Sequence, residues 1–410
     1  MKTPLFLSAC RRTTVTLAAA ALCAPLASTA AEPVKIGALM PLTGGLQAYG
    51  ESCLNGVRMA VNEANAAGGL LGGKVQIIIA DTQTKSQPSI DAAKKLTSIS
   101  AVSGMVGALS SGNTIPVAQS VSSVDGVPTV SPASTAPTIT GLNDDDFLFR
   151  TVPSDAFQGV ALAQVSRQEG KSKVAILYIN NDYGEGLAES FTNAFESAGG
   201  SVTASEPFEP GKASYRGELS SAADSGAEDL LLIAYPDDGG ITILKQALEE
   251  GLFQKFIFTD GMKAEDVVDQ IGAQYLNGTF GTAPKALETD TSRIFRANYE
   301  KAFGELPPRP FIDSSYDAAM VLLLAVAKAD SRDGVDVRDA LRDVTNAPGI
   351  KIKPGEFAKA LRAIGDGEDI NYVGAAGDHE FDADGDVSGT FEHWVVSDGR
   401  LETVTVFAPN

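Results

Sequence analysis

"VKIGALMPLTGGLQAYGESCLNGVRMAVNEANAAGGLLGGKVQIIIADT" runs from Val34 to Thr82, and its reading decides the fold. It opens with an apolar run, Val34–Thr43, that reads as a buried strand. Next, Gly50–Gly69 carries Leu54, Val57, Val61 and Ala64 at helical spacing on one face. That helix closes in Gly68-Gly69, which suits a left-handed cap. Lys74–Thr82 is then a second apolar strand. Strand, helix and strand in this order make a right-handed βαβ unit with parallel strands.

The unit recurs. "PSIDAAKKLTSI" is a second helix, "VSGMVGAL" a third strand, and "TIPVAQSVSS" with "VPTVSPAS" another pair. After "FLFRTVPSD" (Phe147–Asp155) the pattern restarts with strands at Lys173–Asn180, Asp229–Tyr235 and Lys255–Gly261. Helices at Glu185–Ala198, Tyr215–Ser225 and Ile241–Gly251 separate them. A third block holds helices at Thr291–Phe303, Ser315–Ala329 and Val335–Val344. The tail "FEHWVVSDGRLETVTVF" reads as a hairpin with an Asp-Gly turn. The expectation is an α/β protein of two lobes, each built on a parallel sheet of similar size.

Length and charge agree. A chain of 410 residues exceeds one ordinary core. The formal net charge of −20 repels nucleic acid and anionic membrane surfaces, so neither is an expected partner. Residues 1–31 read as a secretory signal: Lys2, Arg11 and Arg12, then apolar Thr16–Ala27, then small residues with cleavage after Ala30 or Ala31. Losing those three cations takes −20 to −23. Cys10 and Cys23 leave with the signal. Cys53 stays alone on a helix, which precludes an intrachain disulfide and suits a buried thiol.

Ligands in open α/β sheets bind beyond the carboxyl ends of strands. Those positions carry "LSSGNT" (Leu109–Thr114) and "SPASTAP" (Ser131–Pro137) in the first lobe, where hydroxyls and free N–H groups suit a carboxylate or plain helix capping. In the second lobe they carry Tyr183, Tyr235 and Asp260. An acid and tyrosines facing hydroxyls would suit an amphoteric ligand; core packing and turn formation are the bland alternatives. Catalytic arrangements are poorly represented. His379 and His393 are the only histidines, and HExxH, Walker A and G-x-S-x-G patterns are absent. No enzyme activity, metal or cofactor is expected.

The ordered set "GALSSGNT", "SPASTAP", "FLFRTVPSDAFQG", "NDYGEGLAESF" and "TDG", with the opening stretch, resembles the periplasmic leucine/isoleucine/valine-binding family of ABC transporters. The resemblance covers the whole mature chain. It implies a type I periplasmic binding protein: two doubly wound parallel-sheet lobes joined by three hinge crossovers. These would fall near Arg150–Val152, Gly281–Pro284 and Gly374–Phe381. Lobe one would hold residues 32–151 plus 283–375, and lobe two 152–282 plus 376–410, where the residues alone suggest a sequential split. Ser111 and Thr135 match positions holding the α-carboxylate, with the backbone of Ala133 and Ser134 between them. Asp260 matches the acid that holds the α-ammonium. Tyr183 and Tyr235 match aromatic contacts, and Tyr49 matches an aromatic position that lines the family's side-chain pocket. Asp260 is one methylene shorter than the Glu of some members, and the disulfide of some members is missing. The implied function is periplasmic capture of a branched-chain or related amino acid by a monomer that docks on a membrane permease. A sensor module of the same fold for an amide, urea or aromatic acid is the alternative. A secreted hydrolase and a calcium-dependent adhesion or storage protein are further competing classes.

The last of these draws on "DHEFDADGDVSG" (Asp378–Gly389), which is rich in oxygen ligands. A calcium loop started at Asp382 fits at Asp384 and Asp386 but fails at Val387 and His393, where glycine and glutamate are needed. "FDADGDVSG" instead resembles the family's strand, Asp-Gly turn and return strand near the third crossover, with Asp and Gly suited to tight-turn dihedrals.

Overall fold

The computed structural model describes residues 1–5 and 31–409. Most of the expected signal peptide, with Cys10, Arg11-Arg12 and Cys23, lies outside the described residues. Among those described, no helix is long and apolar enough to cross a membrane.

The first sheet contains β1 (Val34–Met40), β2 (Val75–Asp81), β3 (Gly104–Gly107), β4 (Thr129–Ser131) and β5 (Leu148–Arg150), all parallel in the order β2-β1-β3-β4-β5. The first helix spans Gln47–Ala66, starting and stopping three residues earlier than its apolar period suggests. Gly68 and Gly69 then take φ of 116° and 87°, which ends it. Inside it, Gly50 sits so close to the end of β1 that a Cβ would lie 2.0 Å from the Pro41 carbonyl oxygen. That close approach sets the loop between strand and helix tightly over the cleft.

The second sheet is larger and mixed. β6 (Lys173–Ile179), β7 (Ser201–Phe208), β8 (Asp229–Ile233), β9 (Lys255–Phe258) and β10 (Phe280–Pro284) run parallel in the order β7-β6-β8-β9-β10. β11 (Ile350–Ile352) and β12 (Ile370–Tyr372) form a separate short pair. The C-terminal hairpin, β13 (Phe391–Ser397) and β14 (Arg400–Phe407), then extends the second sheet antiparallel from β10. Asp398 and Gly399, both at positive φ, make its two-residue turn. The sheets are therefore unequal, five strands against seven. β7 escapes a sequence reading because its burial pattern is mostly exposed or intermediate and it contains Pro207, as suits an edge strand.

Helix Ile312–Ala329 packs on Gln47–Ala66 and on β3 and β4, and nearly every residue of its middle is buried. So the chain returns to the first sheet after β10, and to the second after β12. Helices Asp155–Gln168 and Asp182–Ser197 pack together on the second sheet's side, with Asp155–Gln168 lying against β10. Ser154 and Asn181 cap them through N–H bonds from Ala156 and Gly184.

The acidic stretch itself contains no strand, so of the expected strand, turn and return strand only the turn is present. Asp382 Oδ1 accepts the N–H groups of Asp384 and Asp386, an Asx-type turn. Asp386 is then spent on Arg150, a fully buried guanidinium that donates from Nε and Nη2 at 2.6 Å each. Arg150 also reaches Ala136 O at 3.0 Å and Thr140 Oγ1 at 2.9 Å. This fork ties the end of β5 to the segment leading into β13, two of the strands of chain that pass between the sheets.

Candidate functional site

The carboxyl ends of β1, β3 and β4 face those of β6, β8 and β9 across a narrow cavity of about 20 Å³. Its walls include Tyr49, Ser111 and Ala133 from the first side and Tyr183, Tyr235 and Asp260 from the second. Six of the eight residues singled out by sequence thus meet around one space. Ser134 and Thr135 lie just behind the wall, both fully buried. Ser134 Oγ is consumed by Ser131, Thr114 and the Leu109 carbonyl. The Thr135 hydroxyl donates to Asp155 Oδ2 at 2.7 Å, and its carbonyl accepts the Asp155 N–H. Neither hydroxyl proton faces the cavity.

The first wall instead offers donors. Ser111 Oγ accepts from the Ala136 N–H at 3.1 Å, which leaves its proton to donate. Ser111 and Gly112 open a helix, so their N–H groups have no intrahelical partner. Among the described residues no acceptor reaches these groups or the N–H of Thr135. A carboxylate fits that set.

The second wall offers an acceptor. Asp260 is 3 % exposed. Its Oδ1 accepts from Gln158 Nε2 at 2.7 Å and from the Tyr183 hydroxyl at 3.0 Å. Tyr183 is held in turn by Thr259 and the Gly261 N–H. Among the described residues no side-chain donor reaches Oδ2, while the backbone N–H groups of Asp260 and Gly261 also favour the ionised carboxylate. Burial pushes the Asp260 carboxyl up to about 6, with the hydrogen bonds from Gln158 and Tyr183 working against that rise. Burial likewise raises the Tyr183 and Tyr49 hydroxyls well above their ordinary range, so both stay neutral donors. Asp260 lacks a cation, and a ligand ammonium would supply one.

Three contacts close the cavity. Tyr49 donates toward the carbonyls of Asp260 and Gly261, each at 3.1 Å. The hydroxyls of Ser110 and Tyr235 lie 3.1 Å apart. Arg309 reaches Glu265 and Asp266 on the far side while also bonding the Ala48 carbonyl. Tyr183 and Tyr235 stack at 5.5 Å with planes 12° apart, a flat apolar floor.

Sequence reasoning missed four wall residues: Leu46, Leu109, Gly261 and Phe311. Leu109 and Phe311 take φ of 69° and 76°, in the left-handed region that bulky residues avoid. Such conformations persist where the surroundings hold them, often at ligand sites. No residue pattern announces them. Asp155 and Gln158, behind Asp260, were missed as well; in sequence they are ordinary first-turn helix residues.

Across residues 33–388 the chain matches the model of the periplasmic binding protein family. The chain belongs to that family. A Leu/Ile/Val-binding protein of Rhizobium johnstonii is 30% identical over 340 residues, 82% of this chain and 89% of that protein. The leucine-, isoleucine-, valine-, threonine- and alanine-binding protein of Pseudomonas aeruginosa is 29% identical over 316 residues, covering 77% and 83%. Among solved structures, a leucine-binding protein from Thermotoga maritima superposes with a TM-score of 0.77 at 26% identity, covering 92% of this chain and 99% of that one. This periplasmic binding protein therefore shares most of its length and its fold with proteins named for amino-acid binding.

Proposed function

We propose that this periplasmic binding protein captures a branched-chain or closely related amino acid between its two lobes and delivers it to an ABC transporter permease. One observation carries the reading: a small cavity has on one wall a buried carboxylate, Asp260, that no cationic side chain pairs among the described residues. Unclaimed N–H groups and the Ser111 hydroxyl proton are on the other. That polarity fits a zwitterion, α-ammonium on Asp260 and α-carboxylate at Ser111. Leu46, Leu109, Phe311 and Tyr49 would surround an aliphatic side chain. Tyr235 and Tyr183 would cover it from the second lobe. Ser134 and Thr135 act through their backbone, since their hydroxyls are engaged elsewhere.

The lobes are residues 32–151 plus 283–375 and 152–282 plus 376–410. They move on the three connecting segments, with the Arg150–Asp386 fork fixing the pivot. Each lobe supplies part of the ligand shell, so ligand favours closure through contacts made only there. The names of the relatives and the expected signal peptide support a periplasmic setting. A thermal-shift screen with leucine, isoleucine, valine, aliphatic amides and benzoate tests this. A true ligand at 100 times its Kd stabilises by about 2.7 kcal/mol. A shift with benzoate or an amide and none with the amino acids would overturn the assignment.

A further inference from the structure

Gln158 holds Asp260 from behind. It sits in the first turn of helix Asp155–Gln168, is fully buried and forms no part of the cavity wall. Its Nε2 donates to Asp260 Oδ1 at 2.7 Å and to the Thr282 carbonyl at 3.3 Å. A carbonyl and an ionised carboxylate only accept, so the amide has one tolerable orientation. Turned over, it would set its own oxygen against both. In the orientation it takes, Oε1 is buried with no partner among the described residues. A buried acceptor left so costs free energy, and an apolar side chain of the same length would avoid that cost. Packing alone therefore does not account for an amide at this place, whereas donation to Asp260 does.

The arrangement is internal to the second lobe. Gln158, Tyr183, Asp260 and Thr282 all fall within residues 152–282, on two helices, the turn after β9 and β10. Among the described residues Gln158 makes no hydrogen bond to the first lobe, so its tie to Asp260 does not depend on closure of the cleft. The Tyr183 hydroxyl gives Asp260 Oδ1 a second donor at 3.0 Å and is itself 2.8 Å from Thr259 Oγ1. Two donors on one oxygen fix both the place and the plane of the carboxylate, which then cannot turn freely about its Cβ–Cγ bond. Hydrogen bonds to the charged form also favour it, against the upward push of burial.

We infer that Gln158 is a positioning residue for the ligand's ammonium: it touches no ligand atom, and it fixes the Asp260 carboxylate in place before the ligand arrives. The inference rests on the amino-acid reading above. The bond to the Thr282 carbonyl anchors the amide to β10, so Asp260 is braced against the sheet rather than left on its turn alone. An ammonium entering the cleft then meets a charge already oriented, and the ordering of that carboxylate is not drawn from the binding free energy. Gln158 acts wholly through Asp260, so its contribution should vanish when the carboxylate does.

A double-mutant cycle read by calorimetry with leucine tests this. Gln158→Met keeps the length of the side chain and removes the donor, and leucine Kd should rise roughly 10- to 100-fold. On the Asp260→Asn background the same change should cost less than about threefold, because the charge through which Gln158 acts is gone. A loss of equal size on both backgrounds, as a merely structural role would give, overturns the inference, and so does a loss below about threefold in the single variant. Should Gln158→Met fail to fold, Gln158→Asn, an amide one methylene short of Asp260, takes its place in the cycle with the same expectation. Nitrogen–proton NMR spectra of the ligand-free protein add a readout that needs no ligand. The Gln158 side-chain amide should be protected from exchange with water, and its bonded proton should move upfield in Asp260→Asn. An amide in rapid exchange overturns the inference. Leucine failing to bind a native chain whose amide is protected would overturn the amino-acid reading and leave the tie between Gln158 and Asp260 established.

Discussion

Asp260→Asn separates charge from shape at the centre of the cavity. Asn keeps an oxygen for Gln158 Nε2 and the Tyr183 hydroxyl, so the 2.7 and 3.0 Å bonds survive. What disappears is the carboxylate. Its rise from 3.8 to about 6 means that the ionised form is penalised by about 3 kcal/mol in the ligand-free, closed protein. The sign follows from linkage. Between the unfolded and folded values the native protein binds more protons, so stability is lost as pH rises from about 4 through about 6. Removing the acid should therefore stabilise the ligand-free protein at pH 7.5, by at most about 3 kcal/mol. The same change should weaken leucine binding by about 2–5 kcal/mol, since it removes one member of a desolvated charge pair. That is roughly 30-fold to several thousand-fold in Kd. Calorimetric titration gives the affinity, and urea denaturation without ligand gives the stability. An affinity within threefold of the native protein would refute the ammonium assignment. A loss of both stability and affinity would show that Asn fails to preserve the local geometry, and Asp260→Glu, which restores charge, would then have to recover binding.

Arg150→Met strands Asp386 without its fork and should cost about 3–5 kcal/mol in urea denaturation; restoration by Arg150→Met combined with Asp386→Leu would identify the loss as an unpaired charge. Gly186→Ala puts a Cβ 2.6 Å from Pro137 Cδ across the cleft, so it should burden closure by about 1–3 kcal/mol. Calorimetry should then show roughly 5- to 150-fold weaker binding, with ligand-free Tm nearly unchanged. Arg309→Ala removes the clasp to Glu265 and Asp266 and should raise the leucine off-rate roughly 2- to 10-fold in stopped-flow measurements, more at low salt than at high. Millimolar calcium should move Tm by less than about 1 °C, because both Asp386 oxygens are bound by Arg150, and chelation with EDTA should likewise change nothing.

Asp260, Tyr183 and Ser111 were legible because they follow apolar strands, and the position after a strand in a parallel sheet is a geometric address as much as a chemical one. Asp155 carries no such address. It reads as an N-terminal helix acid beside a Ser cap, and only the fold places it behind Asp260. Phe311 was hidden for a different reason. Its left-handed backbone conflicts with its own preference, so local propensity argues against the role that the surrounding cavity imposes. The same logic explains the acidic stretch at Asp378–Gly389. Its composition is that of a metal loop, and reading charge density as function would choose it first. Its key residue, Asp386, is neutralised by Arg150 from 236 positions away, a pairing that no local window contains. The acid of that stretch that packs inward, Asp386, is therefore paired with a cation, whereas Asp260 is not. An unpaired charge in a closed cavity tells more about binding than many charges at the surface, because only the former leaves a free-energy deficit that a ligand can remove.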